Sequence, residues 1–482
     1  MLSRVFRVHF VGIGGIGMSG IAEVLLVQGW PVSGSDLRPS PLTARLAQLG
    51  ARIHIGHAAG NLGDAEVVVT SSAVAEDNPE VVAARARQIP VIPRAEMLAE
   101  LMRLKFGIAV AGMHGKTTTT SMIATVLAGV GLDPTVVVGG RLDSIGSNAR
   151  LGSTQYLVAE ADESDRSFLK LAPIIAVITN LDREHLDCYS GIDDIQNAFV
   201  EFANRVPFYG TVLVGGDDEM TRAILPRIRR RTLSYGTDAG NDLRIEAVEF
   251  AGRETRFRLH QTPAAAHSFG RETAGADLGQ FRLQRPGLHN VLDATAAIAT
   301  GLLLGRDLEL IRTAIASFEG VDRRFQVRGT VGGVTVVDDY GHHPTELAAT
   351  IAAARQAYPD GRVLMIFQPH RYSRTYHLHG EFGRVLALAD QVWLMDIYAA
   401  GEAPIAGISS ATLAEEARRC GGAVVYAGEA EAAVAQAAAA CRPGDVILTQ
   451  GAGSVSGLVD KLLRLLRALP QAHPVSAVVE LG

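Results

Sequence analysis

Apolar runs and glycine breaks alternate along the chain in a recurring order. Residues 7–29, RVHFVGIGGIGMSGIAEVLLVQG, read as a short apolar strand, a glycine turn and an apolar helix. WPVSGSD reads as a second strand ending on Asp36, AEVVVTSSAV as another, and IPRAEMLAELMR as a helix with Glu96 and Glu100 on its polar side. Residues 105–131, KFGIAVAGMHGKTTTTSMIATVLAGVG, repeat the strand, turn and helix, and QYLVAEADESD and PIIAVITNLDREHLD add buried strands. From Arg231 to Arg285 the pattern changes to alternating polar and apolar residues (LRIEAVEF, TRFRLHQ, QFRLQ), which predicts an antiparallel excursion. An Ala-rich helix follows GLHN. After EGVDRRFQ the earlier order returns, with strands at VTVVDD, RVLMIF, QVWLMD and GDVILT. The Ala-rich stretch 428–441 reads as a surface helix.

Strand runs separated by helical patterns predict parallel sheets covered by helices on both faces. The fold class is therefore α/β, in three largely parallel domains: Rossmann-like at 1–104, of phosphate-loop type at 105–322, and Rossmann-like again at 323–482. A chain of 482 residues exceeds what one hydrophobic core organises, roughly 250–300 residues. With 48% hydrophobic and 20% charged residues the composition is that of a soluble globular protein. A net charge of −6 argues against nucleic acid as partner. Three cysteines without metal-ligand spacing fit a reducing cytoplasm. Arg4 and Arg7 precede an apolar run that superficially resembles a signal peptide, but GIGGIG and Glu23 interrupt it, and no cleavage site follows. No stretch has the length and apolarity of a membrane span.

Two glycine turns carry candidate chemistry. Gly12, Gly14 and Gly17 form G-x-G-x-x-G between a strand and a helix, and Asp36 ends the next strand. That spacing suits a diphosphate nucleotide with its ribose on the acid, either NAD-like or a UDP-sugar. GMHGKTTTT lies between an apolar strand and a helix, which is the setting of a phosphate loop, although Val110 stands where the usual spacing has glycine. Backbone N–H groups of Gly112 to Lys116 are expected to face phosphates, with Lys116 neutralising them and the Thr117 hydroxyl on Mg²⁺. Two later strands end in polar clusters: Glu160, Asp162, Glu163 and Asp165, then Asn180, Asp182, Glu184, His185 and Asp187. Glu160 is a natural ligand for a hard cation. His185, by spacing alone, reads as a hydrogen-bonding residue.

Taken in order, GIGGIGMSG, GMHGKTTTT, EADESD, NLDREHLD, GLHN, RRF, DDYGHHPTE and QPHRYSRT resemble the Mur ligases over nearly the whole chain. The shortened G-x-x-G-K-T loop belongs to that family's pattern. The resemblance implies that the first domain binds the UDP end of a substrate through Gly12, Gly14, Gly15, Gly17, Asp36 and Ser71. It implies an ATP site at Gly112, Met113, His114, Gly115, Lys116, Thr117 and Thr118, with His289 and Asn290 at the adenine and Arg323 or Arg324 at the phosphates. Two Mg²⁺ ions are implied, on Thr117, Glu160 and His185, which overrides the reading of His185 from spacing. His342, His343, His370, Arg371 and Arg374 match positions near the nucleotide and the reacting carboxylate. Met113 stands where the family usually has Thr, and Glu184 where Asp is familiar.

Other family members carry a carbamylated lysine shortly after the histidine, and residues 186–210 here contain no lysine. That feature resembles the alanine-adding branch, whose substrates are UDP-N-acetylmuramate, L-alanine and ATP. The resemblance leaves a homodimer open and involves neither nucleic acid nor membrane. A nucleotide-dependent oxidoreductase would account for the first glycine turn but would leave Lys116, Glu160 and His185 without work.

Overall fold

The computed structural model describes residues 6–71, 73–142, 147–185, 188–270 and 277–468. They form three sheets, distributed between two compact units, Met1–Glu249 with Glu254–Asp322, and Phe250–Arg253 with Arg323–Gly482. The architecture is α/β throughout. Among the described residues no helix is long and apolar enough to cross a membrane.

The first sheet has five parallel strands in the order Arg52–Ile55, Val32–Asp36, Val8–Val11, Val67–Thr70, Val91–Pro93. Strand order reverses at Val8–Val11, so the crevice for a ligand opens at its carboxyl end, where the first glycine turn lies. The helix Ile16–Val27 leaves that turn and buries Ile21, Val24 and Leu25 completely. Its neighbour Arg94–Arg103 buries Met97, Leu98, Leu101 and Met102. These residues share one apolar cluster with Ala109, Ala159 and Ile178 of the second sheet and Phe199 of the helix Ile192–Asn204, so the two sheets of this unit have a common core.

The second sheet has ten strands, with Phe106–Ala111 near its middle between Ile175–Ile178 and Tyr156–Glu160, both parallel to it. Ile108 through Ala111 are wholly buried, which explains an unbroken apolar run rather than alternation. The expected antiparallel excursion is smaller than the pattern suggested. Arg231–Gly236 pairs parallel with Thr211–Gly215, and the start of Leu243–Ala251 is parallel as well. Antiparallel pairing is found between Glu254–Gln261 and Asp277–Leu283. Alternation reports one more exposed face, here Leu233 and Tyr235 inward with Thr232 and Ser234 on the opposite, partly exposed face, and carries no information on strand direction. The hairpin of Thr135–Leu142 and Ser147–Arg150 adds an edge that the apolar pattern did not mark.

The third sheet runs Gln326–Val331, Val334–Asp339, Val446–Gln450, Val363–Phe367, Gln391–Met395, Val424–Gly428, parallel except for its first pair. The Ala-rich helix, Ala430–Ala440, is only half at the surface: Ala433, Val434, Ala437 and Ala438 are buried against this sheet. Small side chains there permit close approach of the helix to the strands.

Candidate active site

The first glycine turn is tied to the strand beside it. Gly12 has φ +79°, a left-handed conformation that favours glycine, and the N–H groups of Gly12 and Ile13 donate to the Ser35 carbonyl at 2.8 and 2.9 Å. Asp36, expected to hold a ribose, accepts the Gly14 N–H on Oδ2 at 2.8 Å, so its nearest task is to shape the turn itself. A Cβ on Gly14 would lie 2.8 Å from that oxygen, and one on Gly17 would lie 2.6 Å from Arg94 Nη1. Gly15 caps the helix, and Ser71 follows the strand Val67–Thr70 at the same end of the sheet.

Beneath the turn lies a buried polar network. Glu80, fully buried, accepts from Ser35 Oγ at 2.5 Å, Asn61 Nδ2 at 2.6 Å and the Ala58 N–H at 3.2 Å, and His9 Nε2 stands 3.4 Å away. Burial disfavours its charge, but the hydrogen bonds from His9, Ser35, Asn61 and Ala58 prevail and hold the carboxyl at about 2.

The second glycine turn is built around two glycines with positive φ. Gly112 (φ +136°) leaves no room for a Cβ, which would meet Thr179 Oγ1 at 2.0 Å, and Gly115 (φ +82°) caps the helix Lys116–Gly129. The Met113 N–H donates to the Asn180 carbonyl at 3.2 Å and the His114 N–H to Asn180 Oδ1 at 2.9 Å. Those two groups, expected to face phosphates, are therefore taken up by Asn180. At the helix start the Lys116, Thr117 and Thr118 N–H groups have no intrahelical acceptor, an arrangement suited to an anion. The Met113 side chain is buried, and His114 Nε2 meets Asp182 Oδ2 at 2.9 Å.

Lys116 Nζ donates to the carbonyls of Gly112 and Met113 at 2.7 and 3.1 Å and to Glu163 Oε1 at 2.7 Å. Burial works against the ammonium, but Glu163, Glu160 and Glu184 outweigh it and keep Lys116 above the usual lysine range. Thr117 Oγ1 donates to Glu160 Oε2 at 2.9 Å. His185 adopts φ +54°, and its Nε2 lies 3.4 Å from Glu163 Oε1. Lys116, Thr117, Glu160 and His185 thus share one locality, with Glu163 at its centre. His289 and Asn290 occupy the first turn of the helix Leu288–Leu303, where Asn290 Nδ2 meets His289 Nε2 at 3.0 Å and the Pro286 carbonyl at 2.7 Å.

The second unit holds its own cluster. Arg323 (φ +58°) donates through Nη2 to the Gly451 carbonyl at 2.6 Å and through Nε to Asp338 at 3.3 Å, and Arg324 pairs with Glu346 at 3.6 Å. Glu346 also receives the N–H groups of His342 and His343, and His343, buried at the start of the helix Pro344–Ala357, accepts the Thr345 N–H on Nδ1. His343, expected to act in catalysis, also caps this helix. His370 stacks on Tyr398, lies beside His342 and receives Arg374. Burial and then the charges of His342, Arg374 and Arg371 push its imidazole down to about 4. Arg371 (φ +71°) reaches toward Glu402.

Three family descriptions match in succession: Mur ligase family, catalytic domain, at residues 7–106; Mur ligase middle domain at 110–301; and Mur ligase, glutamate ligase domain, at 323–453. The chain belongs to the Mur ligase family. This Mur ligase is 56% identical to the UDP-N-acetylmuramate–L-alanine ligase of Koribacter versatilis, over 97% of this chain and 99% of that one. It is 55% identical to the enzyme of the same name from Acidobacterium capsulatum, with the same coverage. The crystal structure of the UDP-N-acetylmuramate–alanine ligase from Thermotoga maritima superposes with a TM-score of 0.77 at 28% identity, covering 96% of this chain and 99% of that one. Two residues of this Mur ligase escaped its motifs. Glu80 lies in no glycine or acidic run, and Asp293, which accepts from Thr119 Oγ1, lies inside a helix that reads as plain core. A lone acid within an apolar stretch was the available signal for Asp293.

Proposed function

We propose that this Mur ligase joins L-alanine to the lactyl carboxylate of UDP-N-acetylmuramate, using ATP, as a cytoplasmic step of peptidoglycan precursor synthesis. The observation that carries the reading is the match at 56% identity, over nearly all of both chains, to a protein named for that reaction. The Lys116 locality supports the ATP-dependent part.

A carboxylate cannot expel oxide, so it must first be activated. The substrate carboxylate attacks the γ-phosphorus and ADP leaves, giving an acyl phosphate; the neutral amine of alanine then attacks the acyl carbon, loses a proton, and phosphate departs. Phosphoryl transfer calls for alignment and charge neutralisation more than for covalent help. Lys116 holds the β and γ phosphates, the helix start at Lys116–Thr118 supplies N–H donors, and His289 and Asn290 face the adenine. The Thr117–Glu160 contact and the buried carboxylate beside His185 fit a divalent cation. Thr117, Glu160 and His185 would hold Mg²⁺, which when bound supplies neutralisation of phosphate charge. Gly12, Gly14, Gly15, Gly17, Asp36 and Ser71 receive the UDP portion. Arg323 and Arg324 serve the ATP phosphates, and His342, His343, His370, Arg371 and Arg374 serve the amino acid and the reacting carboxylate, His343 also capping the helix Pro344–Ala357.

The test is phosphate release with MgATP, UDP-N-acetylmuramate and L-alanine, omitting each in turn. Turnover that needs all of them supports the reading. Full-rate release without an amino acid contradicts it, and a requirement for an intact peptide in place of alanine points to a peptide-recycling ligase.

A further inference from the structure

Arg94 is the first residue of the helix Arg94–Arg103, and its guanidinium lies across the start of a second helix, Ile16–Val27. A Cβ on Gly17 would come within 2.6 Å of Nη1 and 3.1 Å of Cδ and Cζ. The third glycine of the first turn therefore makes room for this side chain. Both helix starts carry partial positive charge, a poor place for a cation unless an acid compensates it. The helix Ile16–Val27 has no acid in its first turn. The acid comes from the second sheet instead: Asp162 Oδ2 accepts from Arg94 Nη2 at 3.3 Å. Asp162 stands two residues beyond Glu160, the strand end that meets Thr117.

Asp162 is aimed at this contact by its own segment. Its Oδ1 accepts the Ser164 N–H at 3.1 Å and Ser164 Oγ at 2.6 Å, which leaves Oδ2 for Arg94. Its carbonyl accepts the Phe168 N–H at 3.0 Å and Ser167 Oγ at 3.2 Å. Burial favours the neutral acid, but Ser164, Lys116 and Arg94 outweigh it and keep the Asp162 carboxyl below its usual range. A second ion pair, Lys170 with Glu96 at 3.2 Å, joins the same segment to the same helix. Arg94, Glu160 and Asp162 line one cavity together with Ser167 and Phe168.

We propose that Arg94, held by Asp162, is a positioning residue that sets the spacing between the first glycine turn and the nucleotide end of the second sheet. The proposal rests on the ligase reading above, in which the first turn holds UDP-N-acetylmuramate and the Lys116 locality holds ATP. Acyl phosphate formation needs the substrate carboxylate in line with the γ-phosphorus, and a misplacement of about 1 Å can cost about 10²-fold in rate. The ion pair joins the two elements that carry the two reactants. It acts on their alignment and leaves the contacts that bind each of them in place.

The experiment is a double-mutant cycle of Arg94→Ala, Asp162→Asn and the pair, with kcat and both KM values read from alanine-dependent phosphate release. Each single variant is expected to lower kcat by about tenfold, with the KM values for ATP and UDP-N-acetylmuramate changed by less than about twofold. The pair is expected to be no slower than the slower single variant, because both changes remove one interaction. Multiplied losses in the pair overturn the proposal, as does a wild-type kcat in either single variant. A rise confined to the KM for UDP-N-acetylmuramate also overturns it and makes Arg94 a plain ligand of that substrate. Thermal melting followed by circular dichroism establishes that the variants are folded. Where Arg94→Ala does not fold, Arg94→Lys replaces it. One ammonium cannot span Gly17 and Asp162 as the guanidinium fork does, so kcat is expected to fall, and an unchanged kcat overturns the proposal. Alanine-dependent release by the wild type tests the ligase reading first and separately; its absence overturns both.

Discussion

Thr119 Oγ1 donates a 2.7 Å hydrogen bond to Asp293 Oδ1, joining the helix that starts at Lys116 to the helix Leu288–Leu303 across 174 residues of chain. A Cβ on Gly115 would lie 2.7 Å from the same oxygen. The phosphate loop therefore has its position set partly by a carboxylate on a helix that follows much later in the chain. Asp293→Ala leaves the buried Thr119 hydroxyl without its acceptor and is expected to cost about 1–3 kcal/mol of stability. The KM for ATP should rise while calorimetric binding of UDP-N-acetylmuramate stays as it was. Equal damage to both substrates would show that the loop is not what Asp293 supports.

Lys116→Ala removes the charge proposed above to neutralise the ATP phosphates. Turnover is expected to fall by at least ~10³, the scale of losing a key phosphoryl-transfer charge. Steady-state phosphate release measures it, and UDP-N-acetylmuramate binding is expected to persist because the first glycine turn is held by Ser35 and Asp36 instead.

Glu80 gives a pH dependence of known sign. Its carboxyl falls from an ordinary 4.5 to about 2 in the folded chain, so its stabilising contribution is complete above about 4.5 and is lost as pH drops toward 2. Acid unfolding followed by circular dichroism should show this loss in the wild type between those values, and Glu80→Gln should lack that component. Ser35, the partner of Glu80, also carries the carbonyl that fixes Gly12 and Ile13. Glu80→Gln is therefore expected to raise the KM for UDP-N-acetylmuramate several-fold with little change in kcat. A fall in kcat alone would contradict that positioning role.

His185→Ala is expected to shift the Mg²⁺ dependence of turnover to higher concentration, since a protein donor to the ion is lost. Glu160→Ala should do the same through the ion beside Thr117. An unshifted curve with a lower maximal rate would return His185 to a hydrogen-bonding role.

What the residues determine alone is local. The apolar run 106–111 followed by Gly112, Gly115 and Lys116 specifies a strand, a glycine turn and a helix start within about a dozen positions, because positive φ and capping depend on adjacent residues. The same holds for Gly12 to Gly17 and for the acids that end Tyr156–Glu160. Those stretches located the α/β fold and most of the candidate site without any structure. The direction of Arg231–Gly236 was not legible, because alternation encodes an exposed face and pairing partners lie elsewhere in the chain. Asp182 taking His114, Asn180 taking the loop N–H groups, Glu80 under the first turn, Asp293 beneath Gly115 and the Glu163 carboxylate between Lys116 and His185 were decided by tertiary structure. Each joins groups from separate strands and helices, and only the packing of those elements around a shared core sets which polar atoms meet once water is excluded.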